Sequence, residues 1–228
     1  MPNHIMNQIE IEGTKEQVDA IVEKYGTIIP EHFRRSWDDN IICNSADGDY
    51  GWLNEETNVF SRRNEEDVQG LPEGWTKEVA EECLHFPDFQ KVFPMPKEVE
   101  ASKDEMGMSP AWYTWSVENW GSKWNCYDCI RVSDTVFQFQ TAWSGVPKIL
   151  DEISLNFPDI EIDYKWSDED TGSNCAIIRL SNGIVDEYYL DNQSNEAYNL
   201  AFELRPECEE YYHKVDGIWE YNEEAEEE

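Results

Sequence analysis

Hydrophobic positions recur along this chain with two different periods. His4 to Glu12 alternates, with Ile5, Asn7, Ile9 and Ile11 on one side and Met6, Gln8 and Glu10 on the other. Period two predicts a half-buried strand. Gly13 ends it, and Thr14 followed by Gln17 has the spacing of a capping box. Val18, Ile21, Val22 and Tyr25 then follow at helical spacing, and Gly26 supplies a stop. From Ile28 to Val92 the pattern breaks into short apolar pieces: Ile41-Ile42, Trp52-Leu53 and Val59-Phe60. This predicts an inserted segment with short helices, such as Pro72 to Leu84, and a small hairpin. Phe89 to Pro96 reads as a strand ending at Pro94 and Pro96, which cannot donate ladder hydrogen bonds.

Regular patterning resumes after the polar stretch Ala101 to Met108, expected as a loop. Ser109-Pro110 opens a helix in which Trp112, Trp115 and Asn119 share a face, closed by Gly121. Two strands follow, Tyr127 to Ser133 and Thr135 to Trp143, then a helix from Pro147 to Phe157 and a strand from Ile160 to Trp166. Asn182-Gly183 between Cys175–Leu180 and Ile184–Leu190 is a strong hairpin signal. Ser194 to Leu204 reads as a helix and Tyr211 to Tyr221 as a small hairpin around Asp216-Gly217.

In order, the elements fit an α+β fold. It is a ferredoxin-like, split βαβ antiparallel sheet with helices on one face, plus an inserted segment and a C-terminal extension. The core is expected in two pieces, residues 1–27 and 89–190. Residues 28–88 form the insertion, 191–221 a C-terminal helix and extension, and 222–228 an acidic tail.

Residues Trp112 to Ser144 hold five of the ten tryptophans, and large rings bury the most area per residue. Trp112, Trp115, Trp120, Lys123 and Trp124 have two readings. They pack a core, or they line a pocket for a small molecule or nucleotide. Lys123 between Trp120 and Trp124 has the spacing for a cation–π contact.

Met1-Pro2-Asn3-His4 running into a strand, Phe93-Pro94-Met95-Pro96, Asn119-Trp120-Gly121-Ser122-Lys123-Trp124-Asn125-Cys126-Tyr127-Asp128 and Thr141-Ala142-Trp143-Ser144 resemble the YubB-like proteins. The resemblance spans roughly residues 1 to 166. It implies a ferredoxin-like domain and a phage or plasmid setting, and it transfers no catalytic residues. Cys126 departs from it, standing where a small residue is expected.

Charge changes the picture most. Fifty acidic against 17 basic residues give −33. Such a chain repels nucleic acid and anionic membranes and attracts cationic partners. The expected partner is a basic host protein surface, bound by a monomer or dimer, with no direct nucleic-acid binding. Glu207 to Glu228 hold ten acids against Lys214, so the excess is not confined to the tail. Candidate carboxylate rows for mimicry of nucleic acid are Glu65, Glu66 and Asp67, and Glu78, Glu81 and Glu82, the last three placed on a helical face. Bland acidity for solubility is the competing reading.

Other chemistry is not expected. Cys126-Tyr127-Asp128-Cys129 is a C-x-x-C, but a zinc site needs further ligands at matching spacing. His4, His32, His85 and His213 are isolated, and on a strand cysteines at i and i+3 face opposite sides. Neither Asp47-Gly48-Asp49 nor Asp168-Glu169-Asp170 has calcium-loop register. No G-x-S-x-G or phosphate loop occurs. The expectation is therefore a protein without catalytic residues, metal or cofactor. The Met1-Pro2-Asn3-His4 start lacks signal-peptide character and no long apolar run exists. A cytoplasmic protein with reduced thiols is expected.

Overall fold

A computed structural model describes residues 3–30, 40–45, 50–54, 57–62, 66–77, 82–104 and 110–222. The chain begins as the sequence predicts, with strand β1 (His4–Glu12) and helix α1 (Lys15–Tyr25). Thr14 Oγ1 accepts from the Gln17 amide and Gln17 Oε1 accepts from the Thr14 amide, so the capping box is complete.

The chain then departs from expectation. Strands β2 (Thr27–Pro30), β3 (Asn40–Ser45), β4 (Tyr50–Asn54), β5 (Val59–Ser61), β6 (Val68–Gln69), β7 (Trp75–Lys77) and β8 (Glu82–His85) follow. Residues Ile28–Leu84 make a unit of their own. Its five-stranded antiparallel sheet has the order β6-β5-β4-β3-β7, and β2 pairs with β8. Cys43, Leu53 and Phe60 form its core, with Leu71 and Trp75 packed against them. The helix expected over Pro72 to Leu84 is replaced by β7 and β8. Trp75 covers that small core, and tertiary burial outweighs the helix propensity of the neighbouring glutamates.

The second unit comprises Met1–Thr27 and His85–Glu228. Where a strand was expected, Phe89–Val92 is a short helix, α2, because the Asp88 side chain caps it at the Gln90 amide. Helix α3 (Lys97–Glu100), a 3-10 turn (Ala101–Asp104) and helix α4 (Ala111–Trp120) come next. Then follow β9 (Tyr127–Arg131), β10 (Val136–Ala142), α5 (Pro147–Asn156), β11 (Glu161–Asp168), β12 (Ala176–Ser181), β13 (Ile184–Tyr189), α6 (Asn195–Leu204) and the hairpin β14 (Tyr212–Val215) with β15 (Ile218–Tyr221). The acidic tail beyond Asn222 lies outside the described residues.

The six-stranded sheet has the order β13-β12-β11-β1-β10-β9, antiparallel throughout. Four consecutive strands, β11-β1-β10-β9, have the ferredoxin-like order, and the Asn182-Gly183 hairpin extends the sheet beside β11. One face is the core. Ile5, Ile9, Ile11, Phe137, Phe139 and Tyr164 are buried there, together with Val18 and Ile21 of α1 and Ile149, Leu150 and Ile153 of α5. Helix α6 belongs to the extension and covers part of the other face. Leu200 and Leu204 pack with Cys175 against Met6, and Lys165 pairs with Glu203. No helix among the described residues is long and apolar enough to cross a membrane.

Candidate functional site

The tryptophan-rich stretch is fixed by its own turn chemistry. Gly121 takes φ 78°, ending α4 with its amide on Val117 O. Ser116 Oγ then donates to Lys123 O at 2.7 Å, Ser144 Oγ donates to Gly121 O at 2.6 Å, and Ser122 Oγ accepts from the Ala142 amide at 3.1 Å. The two blocks Gly121-Ser122-Lys123-Trp124 and Thr141-Ala142-Trp143-Ser144 are thereby pinned together.

The rings fall into two groups. Trp120 is 4% exposed, donates its Nε1 to Phe93 O at 2.8 Å and meets Trp115 edge-on at 5.4 Å. It is core. Lys123 Nζ lies 4.9 Å from the Trp124 ring and 5.4 Å from the Trp143 ring. The cation–π contact exists, but Trp143 replaces Trp120 as the second ring. Helix α4 buries Ser116 and Trp120, whereas Trp112, Trp115 and Asn119 are half-buried. The buried line therefore runs one residue C-terminal to the one expected. A hollow of about 270 Å³ beside α4 and α5 is lined by Phe93, Glu118, Asn119, Lys148, Asp151 and Glu152. Lys148 donates to Glu118 O there.

The C-x-x-C overturns the expectation that its cysteines diverge. Tyr127 pairs with Gln140 and Ile130 with Gln138, so β9 carries an extra residue, a bulge. Asp128 within it takes φ 49°. This brings Cys126 Sγ to 3.4 Å from Cys129 Sγ. His85, at the end of β8, places Nε2 3.5 Å from Cys126 Sγ. The three ligand atoms lie within 4.8 Å of one another. Cys126 Sγ also donates to Pro87 O at 3.0 Å, and burial, then the neighbouring Cys129 thiol, hold its pKa well above the ordinary thiol value.

A scaffold supports this cluster. Asn125 Oδ1 accepts from the Phe89 and Cys126 amides, and its Nδ2 donates to Asp88 Oδ1 at 2.8 Å. Thr27 Oγ1 donates to Asp88 Oδ2 at 2.6 Å. The Asn-Cys pair that ends the tryptophan block is thus a structural latch. Sequence spacing could not show His85 joining it, because that proximity is made by the fold.

The predicted acidic rows are only partly placed. Glu65, Glu78 and Glu81 lie outside the described residues. Glu66 and Asp67 are exposed, and Glu82 stands on strand β8 rather than on a helical face. Among the described residues another array forms across the open part of the second sheet face. Glu10, Asp163, Arg179 and Asp186 occupy one cross-strand row, and Glu12 and Glu161 begin the next. Neighbouring strands are about 4.8 Å apart and alternate residues along a strand about 7 Å. Arg179 donates to Asp163 at 2.7 Å and approaches Glu12 at 3.7 Å, holding the Asp163 carboxyl below its ordinary range. Alternation places Glu10 on this side, but the row is made by pairing across strands, which contiguous acidic tracts do not show.

Residues 119–213 match the model of a family described as the ferredoxin-like domain in Api92-like protein, DUF1281_C. That range runs from the end of α4 through α6 to the first residues of β14 and covers fewer than half of the 228 residues. No curated protein matches the chain. A solved structure of protein api92 from Yersinia pseudotuberculosis, of family DUF1281, superposes with a TM-score of 0.45 at 12% identity, covering 84% of this chain and 99% of that one.

Proposed function

We propose that the chain is a non-enzymatic acidic protein of a phage or other mobile element. It binds a basic surface of a host protein in the manner of a nucleic-acid mimic and inhibits a defence or DNA-processing protein. The observation that supports this reading is the cross-strand carboxylate array. Glu10, Glu12, Glu161 and Asp186 are exposed on paired strands, with Arg179 as the intervening cation. A mimic needs carboxylates held in rows, as phosphates are held at one charge per ~1.7 Å of duplex axis, and strands hold them without the ordering cost of a flexible tail. The mobile-element setting rests on the YubB-like resemblance. Association would be steered by charge and weaken with salt.

The test is affinity capture of the tagged chain in host lysate at low salt, with parallel elution by a salt step and by duplex DNA. Recovery of one basic nucleic-acid-binding protein, displaced by both, is the expected result. Changing Glu10, Glu12 and Glu161 to Gln and Asp186 to Asn should abolish recovery while the melting temperature is retained. A parallel variant neutralising Glu65, Glu66, Asp67, Glu78, Glu81 and Glu82 measures the inserted unit's share. A salt-insensitive partner, or recovery undiminished in both variants, would refute the mimic reading.

A further inference from the structure

The geometry points to a zinc-class metal site formed by His85 Nε2, Cys126 Sγ and Cys129 Sγ. Two of the three ligand-atom spacings approach those of a coordination shell, and all three atoms lie within 4.8 Å of one another. Around Zn²⁺, with Zn–S near ~2.3 Å and Zn–N near ~2.05 Å, tetrahedral ligand atoms stand roughly 3.6–3.8 Å apart. The observed 3.4 Å between the sulfurs and 3.5 Å from Cys126 Sγ to His85 Nε2 are within a few tenths of an ångström of that. Two thiolates and an imidazole are soft to borderline donors, which select Zn²⁺ or Co²⁺ over Mg²⁺ or Ca²⁺.

Three further features belong to a prepared site. The β9 bulge and the left-handed Asp128 turn both cysteines to one place, which a regular strand cannot do. Asn125 Oδ1 fixes the Cys126 backbone, and its Nδ2 is anchored on the Asp88 carboxylate, which Thr27 also holds. Such supporting hydrogen bonds orient metal ligands and tune affinity. The sulfurs are not bonded to each other, since a disulfide requires about 2.05 Å. Cysteine ligates a metal as its thiolate, so binding is pH-dependent and releases protons as the cation enters. Three protein ligands leave the fourth position for water. The metal would tie His85 to the start of β9 across 41 residues of chain.

The full chain, reduced and stripped with a chelator, would be titrated with Co²⁺ alone and with Zn²⁺ alone. One equivalent of Co²⁺ should give the visible bands of a tetrahedral centre and a thiolate-to-metal charge-transfer band, both displaced by Zn²⁺. His85→Gln and Cys129→Ser, at half-buried positions, should each weaken binding by about 100-fold or more, while Cys208→Ser leaves it unchanged. Zn²⁺ should raise the melting temperature of the parent chain and of Cys208→Ser only. A folded, reduced protein without a charge-transfer band, or a band that survives in both His85→Gln and Cys129→Ser, would overturn the assignment. So would isolation of a Cys126–Cys129 disulfide that binds no metal after reduction, which would mark a redox pair instead.

Discussion

Asn7 is fully buried on the central strand, and every polar atom of its side chain is used. Its Nδ2 donates to Thr141 Oγ1 at 2.9 Å and to Ile5 O, and its Oδ1 accepts from Tyr164 Oη at 2.6 Å. Tyr164 Oη in turn accepts from the Val146 amide at 2.7 Å. Removing that hydroxyl strands a buried carbonyl oxygen and a buried amide, and each orphan costs about 1–3 kcal/mol. Tyr164→Phe should therefore destabilise the fold by roughly 2 kcal/mol or more, read as a lower urea midpoint at unchanged slope. Alternation alone places Asn7 among the isoleucines of the core side, but does not show its side-chain partners Thr141 and Tyr164, which lie more than a hundred residues away. Cys126 and Cys129 failed for the opposite reason. Their local spacing was legible, and the rule applied to it assumes a regular strand, which the bulge breaks.

Elements whose ends carry explicit chemistry were legible: the Thr14 cap, the Asn182-Gly183 hairpin, and the helices from Pro147 and after Ser194. Asp88 was an equally good cap signal for α2, hidden by the β-like run Phe89 to Phe93. The strands β7 and β8 were illegible because their apolar residues are too few to show a period. The two glycine turns make the energetic point testable. Gly183 has φ 73°, and an added Cβ would stand 2.4 Å from Leu155 Cδ2, whereas Gly217 has φ 85° with nothing within 4 Å. Left-handed backbone costs a non-glycine residue about 1–2 kcal/mol. Gly217→Ala should show about that loss in urea unfolding, and Gly183→Ala a larger one, because Leu155 must also move.

Across the whole molecule, −33 is a standing repulsion. Added NaCl should raise the melting temperature by screening it, while the same salt weakens capture of a basic partner. Acid acts differently on paired carboxyls. Lys15 and then Arg131 hold Asp19 below its ordinary range, and Arg179 does so for Asp163. Groups with a lowered folded pKa stabilise above their unfolded value, about 4, and lose that contribution as pH falls through the folded one. Calorimetry should thus show the stability loss beginning below about pH 4, not on the way down from neutrality. The element order was enough to anticipate the ferredoxin-like arrangement, since each strand and core helix kept its own period. The position of β1 matters for synthesis on the ribosome. His4 pairs with Ala142 and Ile5 with Asp168, so the first strand made waits for β11 before both its edges are filled. The inserted unit holds pairings close in sequence, such as Ile42 with Trp52 and Leu53 with Phe60, and local pairings close fastest. The emerging chain would then carry a folded insertion while its own N-terminal strand still has no neighbours.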